Sequence, residues 1–308
     1  MGIGKTASKD GKAISKQTKD KVDSRVSIDV YDQMKLRMKA QRDEMLERES
    51  SFYVCGISGD PGCGKTGTAI DCRTEEQKKT DWVFILDFDE GAEPTWRQHW
   101  STDEKVFILN PYIRKEDQTI DYIATADFAS GFIALVDEAI ETGSMDFGGQ
   151  IIEVEGVAAL VLDGLDSWLD VTNMIARHHH IKGADDRQAD KMKLVPTQWF
   201  ARNQEYNRLF DKVKRLKCHK FFITHMKDIY DGFNVSGQKP DWEKSTTAKL
   251  FQYVEMYAEE RGKTTKLFAK VVKSKTNSNI VGKSYLLYEN DGNKATWHGL
   301  DQIKNGML

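Results

Sequence analysis

From Ser51 onward, short apolar runs alternate with longer stretches in which apolar positions recur at helical spacing. SFYVCGIS, DWVFILDFD, KVFILNP, GVAALVLDGLD and CHKFFITHMKD read as strands. Between them, TGTAIDCRTEEQKK, TADFASGFIALVDEAIET and QWFARNQEYNRLFDKVKRL read as helices. GVAALVLDGLD is an unbroken apolar run, as a parallel strand buried on both faces requires. AKLFQYVEMYAEE, TTKLFAKVVKSK and KSYLLYEN follow as strands with short connections, which makes them an antiparallel extension. Strand and helix in alternation predict an α/β fold: a mostly parallel sheet flanked by helices, with antiparallel C-terminal strands.

The first 28 residues differ in texture. They carry Lys5, Lys9, Lys12, Lys16, Lys19 and Lys21 and little that could pack, so they read as a flexible basic arm. Residues 29–49 read as a helix with Tyr31, Met34, Met38 and Met45 near one face. That face docks either on its own domain or on a neighbouring subunit. The organisation predicted is therefore an arm plus helix over 1–50, an α/β core over 51–290 and a C-terminal tail over 291–308. No internal repeat is visible.

Composition narrows the classes. The chain has 308 residues, 39% hydrophobic and 30% charged, with a net charge of −3. No global field advertises nucleic-acid binding, so any such surface must be a local patch. The longest apolar runs are too short to span a bilayer, and the lysine-rich start lacks a signal-peptide core. Cys55, Cys63, Cys72 and Cys218 lack zinc-type spacing and read as reduced thiols, so a cytoplasmic location is expected. MGIGKT fits a myristoylation pattern loosely, and one acyl chain anchors only marginally. No membrane partner is expected.

The sharpest chemistry lies at GDPGCGKT, residues 59–66, a full match to G-x-x-x-x-G-K-[ST] between a strand and a helix. Gly59, Gly62 and Gly64 let the backbone turn tightly and, with Asp60, Cys63 and the following Gly67, aim N–H groups at phosphate, while Pro61 shapes the turn without a donor of its own. The helix N-terminus adds its positive dipole end. Lys65 supplies a point charge to the β and γ phosphates of ATP, and Thr66 a hydroxyl to Mg2+. Asp163 ends the apolar strand and offers the second metal carboxylate at the same sheet edge. Asp166 sits nearby, as an outer partner of the metal or as a helix cap. The strand DWVFILDFDE ends in Asp87, Asp89 and Glu90. One of them would orient water for hydrolysis. Glu90 has the longer reach and is favoured, with Asp89 next. FFITHMK ends in Thr224, His225 and Lys227, and a histidine there can donate to a γ-phosphate and report its loss.

In this order, GDPGCGKT, VFILDFDEG, ALVLDGLD and FFITHMK resemble the motifs of the RecA-like ATPases over about residues 51–290. KVVKSKTNSNIVGKSYLL resembles the strand whose paired lysines reach the ATP of the adjacent protomer. Lys273 and Lys275 alone read as edge-strand lysines that discourage aggregation. The resemblance instead makes them cations supplied in trans. It also implies two DNA-facing loops. One covers about 171–196, with Arg177, Lys182 and Arg187 beside the run His178–His180. The other covers about 228–248, with Phe233, Lys239, Trp242 and Lys244. Cations track phosphates and rings stack on bases, which suits single-stranded DNA.

Chain length and motifs are most similar to small phage-type RecA-like recombination and single-strand-annealing proteins. The departures are a glutamate position that reads DFDEG, and histidine where bacterial RecA has a glutamine sensor. Neither a helix-hairpin-helix domain nor the large C-terminal RecA domain is recognisable. The expectation is a homo-oligomeric ATPase, filament or ring, stimulated by single-stranded DNA. A hexameric DnaB-type helicase motor and a nucleotide-gated regulator that binds a protein partner are the alternatives.

Overall fold

The computed structural model describes residues 28–47, 52–180, 193–300 and Ile303. The chain divides into two units, residues 1–51 and Phe52–Leu308. Within the first, α1 (Ile28–Glu47) is a single helix, close to the predicted bounds.

The second unit is α/β. Among the described residues its sheet has nine strands in the order β13-β12-β11-β10-β1-β7-β6-β2-β3. The strands are β1 (Val54–Gly59), β2 (Asp81–Asp87), β3 (Val106–Leu109), β6 (Gly156–Asp163), β7 (His219–Thr224), β10 (Gln252–Arg261), β11 (Thr264–Ser274), β12 (Ser284–Asn290) and β13 (Ala295–Trp297). From β10 through β1, β7, β6 and β2 to β3 all pairings are parallel. From β10 to β13 they are antiparallel. Two short hairpins stand apart, β4 (Ser144–Asp146) with β5 (Ile151–Glu153), and β8 (Met226–Asp231) with β9 (Asn234–Pro240).

The central strands are buried on both sides, as their apolar runs require: Val83 to Leu86 and Ala159 to Leu162 are wholly inaccessible. One face packs against α5 (Tyr122–Thr142), α6 (Leu165–His180) and α7 (Pro196–Arg215), through Ile133, Val136, Trp168, Tyr206 and Phe210. The other packs against α2 (Lys65–Ile70) and α4 (Ala92–His99), through Ala69, Ile70 and Ala92. Burying one such large apolar side chain stabilises the fold by about 1.5–3 kcal/mol. Helix limits follow local chemistry. The Asp121 carboxylate accepts from Ala124 N at 3.0 Å at the start of α5, and Gly143 closes it at φ 73.

Two expectations are corrected. TGTAIDCRTEEQKK is not one helix, because α2 stops at Ile70 and a single turn, α3 (Gln77–Thr80), follows. The break places the Asp71 carboxylate to accept from Gly299 N and the Arg73 guanidinium to donate to Asp81 O and pair with Asp103. AKLFQ begins with a helical turn, α8 (Thr246–Lys249), before β10. Within the C-terminal tail, β13 extends the sheet, and Leu300 and Ile303 are buried in the core. Among the described residues no helix is long and apolar enough to cross a membrane. All four cysteines are buried free thiols, and burial pushes Cys55 and Cys218 up to about 12.

Candidate functional site

The parallel strands β1, β7, β6 and β2 deliver their loops to one sheet edge, and a cleft of about 320 Å³ opens there over the glycine turn. Gly62 (φ 79) and Gly64 (φ 81) hold left-handed backbone that side chains disfavour, which aims the turn at the cleft. Lys65 is buried, and its ammonium donates to Gly59 O at 3.0 Å and Asp60 O at 2.9 Å. The turn thus holds its own cation with the carbonyls of its opening residues.

The Thr66 hydroxyl donates to Asp163 Oδ2 at 2.6 Å, joining the end of β6 to the start of α2. Asp163 is almost inaccessible, and burial pushes its carboxyl up to about 7; Asp87 and Asp89 add to the rise, while the Thr66 hydrogen bond and Lys65 oppose it. A hydroxyl and a carboxylate in contact beside a buried lysine form a donor set that fits a magnesium–phosphate group.

The three acids after β2 separate by role. The Asp87 carboxylate accepts from Ala92 N at 2.8 Å and from Asp89 N at 3.2 Å, so it fixes the start of α4. Asp89 lines the cleft, where its Oδ1 accepts from Ser167 Oγ at 2.8 Å. Burial raises its pKa, with the neighbouring Asp166 charge adding to the effect. Glu90, favoured from its reach, points elsewhere. Its backbone sits at φ 57 and its carboxylate accepts from Asn110 Nδ2 at 2.7 Å, with Arg114 at 3.8 Å. It lines a separate depression with Trp96 and Ile108. Of the two acids, Asp89 lines the cleft over the glycine turn and Glu90 does not.

His225 lines the same cleft from the end of β7. Its Nδ1 lies 3.0 Å from Asp166 Oδ2 and 3.4 Å from Asp89 Oδ2. The Asp166 hydrogen bond raises the imidazole pKa against burial and the Lys65 charge. Burial pushes Asp166 up, yet the His225 hydrogen bond and charge hold it below the usual carboxylate range. Asp166 is thus the partner of His225, with Thr224 Oγ1 donating to it at 3.3 Å. Ligand atoms of Asp89, Asp166 and His225 fall within 4.8 Å of one another, a closeness that the imidazole's contacts with both carboxylates already explain.

The second proposed DNA loop is largely the β8–β9 hairpin. Gly232 (φ 63) and Phe233 form its two-residue turn, and Phe233 stands fully exposed at the tip. Lys239 and Lys244 are exposed. Trp242 is not: 5% of its surface is accessible, its ring packs on Tyr253 at 5.2 Å, and Nε1 donates to Thr247 Oγ1 at 3.1 Å. It is a core residue and leaves the candidate interface. Arg177 is half-buried on α6 beside Met174 Sδ at 3.4 Å. Lys182 and Arg187 lie outside the described residues. Sequence reasoning missed Trp199 and Phe200, which are 50% and 67% exposed at the start of α7. Consecutive helix positions stand about 100° apart, so two adjacent aromatics were a readable sign that one faces outward. It also missed Ser167, whose hydroxyl orients Asp89.

Lys273 and Lys275 lie away from this cleft. Gly59 is level with Met256 and Ala269, whereas Lys273 is level with Tyr253 and Gly56, toward the opposite sheet edge. Both ammonium groups donate to Ala248 O, at 3.4 and 3.2 Å, and Lys273 also to Thr247 O, at the carbonyl end of α8. Burial and the Lys275 charge lower the Lys273 pKa.

No family model matches this chain, and a search of curated proteins finds no match to it.

Proposed function

We propose that the protein is a RecA-like P-loop ATPase that binds single-stranded DNA and works as a homo-oligomer with ATP at subunit interfaces. The observation that carries this reading is convergence: Lys65, Thr66 with Asp163, Asp89 and His225 come from four separate segments and meet at one cleft. The strand order supports it too, because β7, which ends at His225, lies between the glycine-turn strand β1 and the Asp163 strand β6.

Each residue then has a task. Thr66 and Asp163 would hold Mg2+, whose charge offsets that of the phosphates. The backbone N–H groups of the turn and Lys65 bind and orient the triphosphate, with Lys65 exchanging its carbonyl partners for phosphate oxygen. Asp89, oriented by Ser167, accepts a proton from the attacking water. His225, held by Asp166, donates toward the γ-phosphate. Lys273 and Lys275 serve the neighbouring subunit's ATP, and the exposed rings of Phe233, Trp199 and Phe200 stack on bases while Lys239 and Lys244 track phosphates.

His225 also sits at the root of the hairpin. Asp241 N donates to His225 O at 2.9 Å, Thr224 Oγ1 donates to Asp241 O at 3.0 Å, and Lys227 pairs with Asp241. A change at the phosphate edge therefore has a short bonded route to the hairpin.

The test is ATP hydrolysis with and without single-stranded DNA across protein concentrations. DNA stimulation that rises more steeply than linearly with protein is the expected result. Turnover indifferent to DNA would favour a nucleotide-gated regulator, and strand unwinding by a closed ring would favour the helicase motor.

A further inference from the structure

The C-terminal segment makes contacts with the phosphate-binding helix that the function above does not use. β12 and β13 bring Tyr288 and Trp297 beside His99, the last residue of α4, and Trp100, which follows it. Ring centroids separate Trp297 from Tyr288 by 4.7 Å, from Trp100 by 4.9 Å and from His99 by 5.6 Å. This cluster rests directly on α2. A Cβ placed on Gly67 would lie 2.6 Å from Trp297 Cζ2 and overlap Cη2, and one on Gly64 would lie 3.6 Å from the same ring. An indole is a rigid plate that cannot bend away as a lysine tip can, so Gly67 is the residue that lets the ring sit against the helix.

Two further contacts continue along the same helix and beneath it. Past the ring, Gly299 N donates to Asp71 Oδ2 at 2.8 Å, just beyond the last turn of α2. Leu300 and Ile303 then bury themselves among Tyr53, Cys55, Ile57 and Phe221, under the strand that feeds the glycine turn. The same antiparallel strands press on the turn itself, where Leu267 of β11 fills the space a Gly64 side chain would need. The phosphate-binding helix is thus held on its outer side by residues more than two hundred positions later in the chain.

We propose that Ala295–Leu300, with Ile303, is a latch over the phosphate-binding helix, and that Trp297 is a positioning residue that sets the seating of Gly64–Thr68 and hence nucleotide affinity. The inference rests on reading the glycine turn as a nucleotide phosphate site. By linkage the effect is reciprocal: whatever loosens the latch weakens nucleotide binding, and bound nucleotide tightens the latch.

The experiment measures the Mg–ATP dissociation constant by calorimetry, and the melting temperature without nucleotide, for the full chain and four variants. Trp297→Ala is expected to weaken binding by about tenfold, whereas Trp297→Phe, which keeps a ring, stays within about threefold. Gly67→Ala weakens binding more than Trp297→Ala does, because its methyl collides with the indole, and Gly67→Ala combined with Trp297→Leu recovers the part of the loss due to that collision, to about the level of Trp297→Ala. A purely structural role would lower the melting temperature and leave affinity unchanged. The latch is overturned if Trp297→Ala binds as tightly as wild type, or if the double variant binds no better than Gly67→Ala. Should Trp297→Ala fail to fold, the Gly67→Ala pair decides by itself. A wild-type chain that does not bind Mg–ATP overturns the phosphate-site reading and the latch's role with it, a result distinct from a binding wild type whose variants are unaffected.

Discussion

Asp89 and Glu90 are adjacent acids with opposite surroundings, and the surroundings assign their roles. Asp89 is held in the cleft by Ser167 and faces His225, while Glu90 is occupied by Asn110 and Arg114. Asp89→Asn should therefore lower kcat for ATP hydrolysis by roughly 100- to 10,000-fold with ATP binding retained. Glu90→Gln should leave kcat near wild type. The reverse pattern in steady-state kinetics would return the base to Glu90. The Asp166–His225 pair predicts a pH signature. His225 is raised from 6.5, so its stabilisation is complete below that value and fades as pH climbs through its higher folded pKa. Asp166 is depressed from 3.8, so its part is present above that value and lost as pH falls through its folded pKa. Asp166→Asn should lower the melting temperature most between about pH 4 and 6.5, and by less at pH 9. Because the imidazole is partly exposed, the effect should stay below about 1 kcal/mol. A melting-temperature difference independent of pH would show that the pair carries no charge-dependent stability.

At the scale of the element, what was legible depended on whether one segment's pattern decided its fate. The glycine turn and the apolar run into Asp163 carry local signals, and both stand where the pattern puts them. The β2 acids carry no such signal, because which carboxylate enters the cleft depends on Ser167 and Asn110 from other elements. The segment around Trp242 looked like a basic–aromatic loop, yet its ring fills space against Gly56 and Leu250 that only the folded sheet creates. The C-terminal segment likewise looked like a tail because its partner, α2, lies far away in sequence. These placements separate two aromatics read together from sequence. Trp242→Ala should cost about 3–5 kcal/mol of stability in urea unfolding, as a cavity in a packed core does. Phe233→Ala, at an exposed hairpin tip, should leave unfolding unchanged and weaken single-stranded DNA binding by roughly 1–3 kcal/mol. If Phe233→Ala binds DNA as wild type does, the hairpin is not a stacking surface.

Across the whole molecule, the antiparallel strands make the two sheet edges chemically different. The carboxyl edge holds the cleft, while β11 returns toward the amino edge with Lys273 near its end and Lys275 just beyond it. Lys273 lies three residues back from the level of Gly59 and two strands across, so a Lys273 or Lys275 ammonium does not reach the cleft of its own chain. Within one chain they close the carbonyl end of α8, which alone would make them structural. A head-to-tail assembly, carboxyl edge against a neighbour's amino edge, would instead present them to the next cleft, and such heterologous contacts build rings or filaments. The two roles differ in a mixing experiment. Lys65→Ala lacks a phosphate cation but keeps the β11 lysines, and Lys275→Ala lacks one of those lysines but keeps an intact cleft. Each should hydrolyse ATP poorly alone. Mixed in equal amounts, random assembly pairs an intact cleft with intact lysines at about a quarter of interfaces. Turnover should rise above both parents and peak near equal proportions. A mixture that never exceeds the weighted sum of its parents would confine the lysines to closing α8, and the cation for the phosphoryl group would have to come from elsewhere in the assembly.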